Sequence, residues 1–298
     1  MLKLQFMKMV EVAPVLNAKG LKEVTINKIL GHMNFKNDEL SKLSYELKEE
    51  IVSNGGRKVD STVSDFVSVY TNPKGKDYLI TEDNKEKIDK IIEKDIAKYY
   101  NSKNMKSDVS TNAESSKVYD GIWTGYSTII YNGINGSEYE YYFYSNFDWN
   151  GVPNVYFTDY VALAWQINAT PIGQYFKHYY QWGYSNAESN VYGATSVDVS
   201  SVYGTRWGYD LLGSGERQSG WGREKVRIPV SNANLTGVIS AGYAHPYTNS
   251  VVKAALGSAS ISWDDSWAMK HTWRQTIMYT LVKTRILNSL VMNSFREF

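Results

Sequence analysis

The chain has 298 residues, with 32 Lys and Arg against 31 Asp and Glu, and no Cys. That length allows two domains, or one large domain with an appendage. A formal charge of +1 gives no reason to expect nucleic acid as a partner, and the missing cysteines exclude disulfides, thiol catalysis and Cys-ligated zinc or iron–sulfur sites.

Taken from the start, Met1–Leu16 is partly apolar, but Lys8 and Glu11 interrupt it and no small-residue cleavage site is clear, so no signal peptide is read. Residues 38–53 read as a helix, with Leu40, Leu43, Leu47 and Ile51 on one stripe, Asn37 or Asp38 as cap and Gly55-Gly56 as stop. Val63–Thr71 and Lys76–Ile80 read as two strands around the Asn72-Pro73-Lys74-Gly75 turn. A second helix over 82–100, capped by Thr81, carries Ile88, Ile91, Ile92, Ile96 and Tyr99. Asn101–Lys117 is rich in Ser, Asn and Lys and reads as a linker.

Composition changes sharply at that point. Residues 1–117 hold 38 charged side chains and no Trp, whereas residues 118–298 hold 25 charged side chains, all nine Trp and 19 of the 24 Tyr. From Val118 the hydrophobic period becomes two, which predicts strands at 122–131, 138–147, 154–167, 174–184, 194–203, 206–212, 223–230, 236–244 and 251–263. Asn132-Gly133, Asn150-Gly151, Gly213-Ser214-Gly215 and His245-Pro246 are the expected turns between them. From Thr272 on, Ile277, Leu281, Ile286, Leu287, Leu290, Val291 and Phe295 recur at helical spacing.

The expected fold class is therefore α+β overall: a small helical and hairpin N-terminal region, an antiparallel all-β sandwich or open barrel, and a C-terminal amphipathic helix. The expected divisions are a helix–hairpin–helix accessory domain or pro-region at 1–100, a linker at 101–117, the β domain at 118–265 and the helix at 266–298.

Chemistry-bearing patterns are sparse. His32, His178, His245 and His271 show neither HxH nor HExxH spacing, and Asp264-Asp265 lacks a calcium-loop pattern, so no metal or other cofactor is expected. Nucleotide-binding glycine loops and the GxSxG elbow are absent. A glycoside-active enzyme would need two facing carboxyls, for which Glu138 or Glu140 with Asp148 or Asp159 are the candidates. Glu alternating with Tyr is also the ordinary pattern of a solvated sheet face, and that reading is preferred to catalysis.

Aromatic residues carry the stronger signal. Tyr139, Tyr141, Tyr142 and Tyr144 populate both faces of one strand, so one set is exposed unless both faces are covered. Trp149, Trp182, Trp207 and Trp221 stand beside Gly or Asn near turns, where they could stack on sugar rings, with Asp148 and Asn150 orienting hydroxyls. The competing reading is that these rings fill the core. A third possibility is a membrane-active hairpin toxin using Leu235–Trp263. Here Leu235 and Ile239 on the first arm, and Ala259, Ile261 and Trp263 on the second, would face lipid.

Phe147-Asp148-Trp149, Pro153, Thr158-Asp159 and Ala162-Leu163-Ala164-Trp165 together resemble exported β-rich proteins of Gram-positive bacteria, over roughly residues 118–263. The resemblance implies a secreted or surface-attached role and assigns no activity. The leading expectation is a non-enzymatic binding protein outside the cell, with a glycan or cell-envelope polymer as partner and membrane lipid as the alternative. Oligomeric state is not legible.

Overall fold

The computed structural model describes residues 11–59, 61–63, 67–102, 122–150, 158–165, 169–181, 190–193, 196–201, 204–211, 217–233, 235–246 and 270–280. Three helices come first: α1 (Glu23–His32), α2 (Asn37–Leu40) and α3 (Tyr45–Asn54). The helix expected over 38–53 is thus broken in two. Ser44 accepts a hydrogen bond from the Leu47 amide at 3.2 Å, so it caps a fresh helix instead of continuing the first. Short strands β1 (Arg57–Lys58), β2 (Ser61–Val63), β3 (Val67–Thr71) and β4 (Asp77–Ile80) follow. The β3–β4 turn is held by Asn72, whose Oδ1 accepts from the amides of Lys74 and Lys76 at 3.0 and 2.9 Å. Then comes α4 (Lys85–Ser102).

The second part supplies β5 (Ile122–Asn135), β6 (Glu138–Asn150), β7 (Thr158–Trp165), β8 (Thr170–Gln181), β9 (Asn190–Gly193), β10 (Ser196–Ser201), β11 (Gly204–Asp210), β12 (Arg217–Pro229), β13 (Thr236–Pro246) and β14 (Lys270–Thr280). They form two antiparallel sheets, and neither closes into a barrel. The first runs β1-β5-β6-β12-β8-β9. The second runs β10-β11-β7-β13-β14-β3-β4, with β2 also pairing β14.

Two apolar clusters explain why β6 is aromatic on both sides. One joins the sheets: Tyr139, Tyr141, Phe143, Phe147 and Trp149 of β6 pack with Val161, Leu163, Trp165, Trp207, Ile239 and Tyr243 of the second sheet. The other lies on the opposite face of the first sheet, where Tyr126, Ile130, Tyr142, Tyr144 and Trp221 meet Ile26 and Leu30 of α1 and Leu47 and Ile51 of α3. Both faces of β6 are therefore covered, and the tyrosines that alternation would leave exposed lie beneath helices. A third cluster packs Ile88, Ile92 and Ile96 of α4 on Tyr70, with Tyr78 and Ile80 of the β3–β4 hairpin.

The compositional boundary at Lys117 is not a boundary in hydrogen bonding. Strand β1 pairs with β5 (Arg57↔Tyr131), and β3 pairs with β14 (Tyr70↔His271), so the N-terminal section adds strands to both sheets. Three local expectations need correction. Asn132-Gly133 is a bulge within β5, where the register shifts between Tyr131 and Ile134 and Gly133 takes φ of 100°; the turn falls at Gly136 instead. His245-Pro246 is not a turn, because β13 runs through both residues. Finally, the helix expected over 266–298 is contradicted across residues 270–280, which form β14. Thr272, Trp273, Thr276, Ile277, Tyr279 and Thr280 are strand-favouring residues, and neighbours on both sides outweigh a helical stripe with only Ile277 in this stretch. Residues 266–269 and 281–298, the remainder of that expectation, and the strand expected at 251–263 lie outside the described residues.

Candidate functional site

Three of the four tryptophans expected to meet a ligand are interior. Trp149, Trp207 and Trp221 are each 0% exposed; the fourth, Trp182, lies outside the described residues. Room for Trp207 is made by Gly222 of β12, where an added Cβ would come within 2.5 Å of the indole ring. Gly220 does the same for Phe147, at 2.6 Å. The glycine beside tryptophan in the sequence thus marks close packing, not a display turn.

Trp149 instead joins a buried polar network at the β6–β7 end of the sheets. Its indole Nε1 donates to the Tyr243 hydroxyl at 2.6 Å. That hydroxyl also hydrogen-bonds Asp159 and Tyr209, and the other Asp159 oxygen meets His245 Nδ1 at 2.9 Å. Burial pushes both tyrosine pKa values well above normal, and the Asp159 charge adds to the effect, so both rings stay protonated. His178 lies against the Tyr209 ring, 4.5 Å between centroids, and burial lowers its pKa to about 4 despite a hydrogen bond with Gln218. The Asp159–His245 dyad has the geometry that orients an imidazole. Its members are fully enclosed, however, and serve the interior as a fixed set of dipoles.

The carboxylates proposed for glycoside chemistry do not converge. Glu140 and Asp148 lie on one strand eight positions apart, roughly 26 Å at strand rise. Burial raises the Glu140 pKa, but hydrogen bonds from Lys225, Asn135 and Arg227 outweigh it and take the carboxyl down to about 2. Glu138 stands 3.9 Å from Arg227. Asp148 is paired with Arg217, whose Nε lies 2.9 Å away. It alternates with Phe147 and Trp149, so it lies on the opposite face of β6 from the cluster where Asp159 is held. Asn150 ends β6 beside it, paired in register with Arg217. A pair spaced for hydrolysis is therefore absent among these four residues.

Nor does β13 form the outer arm of an edge hairpin. It pairs with β7 on one side and β14 on the other; Ile239 is buried in the inter-sheet cluster, while Leu235, just before the strand, is exposed. Ala259, Ile261 and Trp263 lie outside the described residues. Among the described residues, no helix is long and apolar enough to cross a membrane, and no three His, Asp or Glu side chains gather as metal ligands.

An exposed aromatic ring lies elsewhere, on the strip of the first sheet beside α3. Register places Tyr175 of β8 opposite Arg223 of β12, and Lys177 opposite Trp221. Tyr175 is 41% exposed. Cations bracket its ring: Lys177 Nζ lies 5.3 Å from the centroid and the Arg223 guanidinium 5.5 Å. Arg223 also lies 5.2 Å from the Tyr142 ring, and Lys225 5.6 Å from the same ring. Two residues before Tyr175, a Cβ on Gly173 would meet nothing within 4 Å, which leaves open floor beside the ring. Sequence reasoning passed over Tyr175 and Lys177. Their signal was the alternation Gly173, Tyr175, Lys177, Tyr179 facing Trp221, Arg223, Lys225 on the next strand.

A groove of about 690 Å³ between α1, α2 and α3 is lined partly by Val24, Asn27, Gly31 and Lys48. Its titratable lining residues are Glu23, Lys28 and Lys48, and Lys48 is engaged there by Glu23 at 2.6 Å.

No protein-family model matches the chain, and no curated protein matches it either.

Proposed function

We propose that the protein is a secreted or surface-associated binding protein, without catalytic activity, that takes a glycan chain of the bacterial cell envelope. The two sheets act as a β-sandwich framework in this reading, and the helices leave one strip of the first sheet open for ligand. The observation that carries it is the Tyr175 ring, 41% exposed, with open space at Gly173 and cations on its flanks. Sugar rings present apolar C–H faces to the exposed part of such a ring, while their hydroxyls accept from the Lys177 and Arg223 groups that lie over it. The pairing of Glu140 with Lys225 and of Asp148 with Arg217 supports binding over hydrolysis.

The test is a pull-down on purified bacterial cell walls together with a glycan array, comparing the wild-type protein with Tyr175→Ala. Wild type is expected to bind. Loss of the ring is expected to weaken binding about tenfold, equivalent to ~1.4 kcal/mol. A wild-type protein that binds neither walls nor any arrayed glycan overturns the reading.

A further inference from the structure

We infer that the polymer taken by this strip is polyanionic, carrying phosphodiesters, and that Lys177 is the side chain that reads its charge; the inference rests on the glycan-binding reading above. The cations of this face differ in one respect. Arg223 is paired with Glu50, Lys225 with Glu140 at 2.8 Å, and Arg227 with Glu140 at 2.9 Å. Lys177 has no carboxylate partner among the described residues. Its ammonium lies instead 5.3 Å from the Tyr175 centroid and 5.8 Å from that of Trp221.

Ring faces attract a cation without cancelling its charge, as a carboxylate would. They also strip part of its water, so an incoming anion meets a partly desolvated charge and is held more firmly than at a fully solvated lysine. The position is fixed by the backbone as well. Lys177 pairs with Trp221 of β12 on one side and Gly193 of β9 on the other. The exposed ring and this cation are two residues apart on one face of β8, and the ammonium lies 5.3 Å from the ring centroid. That spacing suits a sugar face on Tyr175 with the adjoining phosphate at Lys177. Lysine binds a phosphate as a point charge, without the fixed bidentate geometry of the arginine fork, so either side chain can serve at this position.

The experiment measures binding to purified Gram-positive cell walls, untreated or stripped of phosphodiester-linked polymers by cold hydrofluoric acid. It uses the full chain as wild type, Lys177→Gln, Lys177→Arg and Tyr175→Ala, with vesicles of phosphatidylglycerol as a further arm. Wild type is expected to bind stripped walls at least tenfold more weakly than untreated ones. Lys177→Gln is expected to show the same loss on untreated walls and no further loss on stripping. Lys177→Arg should retain most binding, and an unchanged denaturation midpoint will show that each variant is folded. Equal binding of wild type to both walls, with Tyr175→Ala still impaired, overturns the charge inference and leaves the glycan reading standing. Tighter binding to vesicles than to untreated walls overturns the choice of a wall polymer. Absence of binding to either wall overturns both readings together.

Discussion

The Tyr243 hydroxyl is the junction of the buried network, shared by Trp149, Tyr209 and Asp159. Tyr243→Phe keeps the ring and deletes the junction, stranding the indole N–H and one carboxylate oxygen away from water. The expected cost is about 1–3 kcal/mol, read as a lower denaturant midpoint with an unchanged slope. His178 makes a prediction in pH. Burial keeps it neutral in the folded protein to about pH 4, whereas the unfolded chain takes up the proton near the ordinary histidine value of 6.5. Between those values the unfolded state binds more protons, so stability falls as the pH drops from 6.5 toward 4, by up to about 3 kcal/mol. Denaturation curves at pH 7 and pH 5 should separate for wild type and draw together for His178→Leu. Neither residue is conspicuous in the sequence. Tyr243 lies 94 positions from Trp149, so no local spacing announces the contact. Tyr175 and Lys177 were readable as one face of a strand, but whether that face is open depends on where α3 ends.

Strand β12 shows how a whole element is tuned to its neighbours. Its inward face goes from small to large: Gly220 and Gly222 give way to Phe147 and Trp207, buried Glu224 accepts from Thr205, and Val226 and Ile228 fill the space beyond. Gly222→Val would press a branched side chain on the Trp207 ring, an overpacking expected to cost about 1–3 kcal/mol and to lower the melting temperature. Differential scanning calorimetry checks it. Gly173→Val on β8, with open space around it, should leave the melting temperature nearly unchanged while crowding Tyr175. Alternation made most strands legible, β5, β6, β7 and β13 among them, because a period of two survives without knowledge of partners. What was not legible were features whose meaning depends on a partner strand. Asn-Gly at 132–133 has the chemistry of a turn, and only the pairing with β6 makes it a bulge. Residues 270–280 carry strand-favouring side chains, but a place between β13 and β3 decides the matter.

At the scale of the molecule, the charged N-terminal section behaves as structure for the aromatic part. Lys58 and Glu39 form a part-buried pair at 2.6 Å, Tyr126 donates to the same carboxylate at 3.0 Å, and Asn146 donates to the Lys42 carbonyl at 2.9 Å. These contacts pin the helices to β5 and β6. A fragment of residues 118–298 would leave Tyr126, Ile130, Tyr144 and Trp221 without their cover. It is expected to be insoluble or to bind a hydrophobic dye strongly, where the full chain does not. A soluble, dye-negative fragment would show that the helices are dispensable.

The pairing of Tyr70 with His271 has a further consequence, for the order of events in folding. Among the described strands, β14 alone joins β13 to the β3–β4 hairpin, so that wing gains its seat in the second sheet only once residues 270–280 have been made. During synthesis the early hairpin waits with an open flank, dependent on α4 alone for shelter. The second sheet is therefore joined late, and slowing synthesis through residues 270–280 should delay its native structure far more than slowing the first hundred residues.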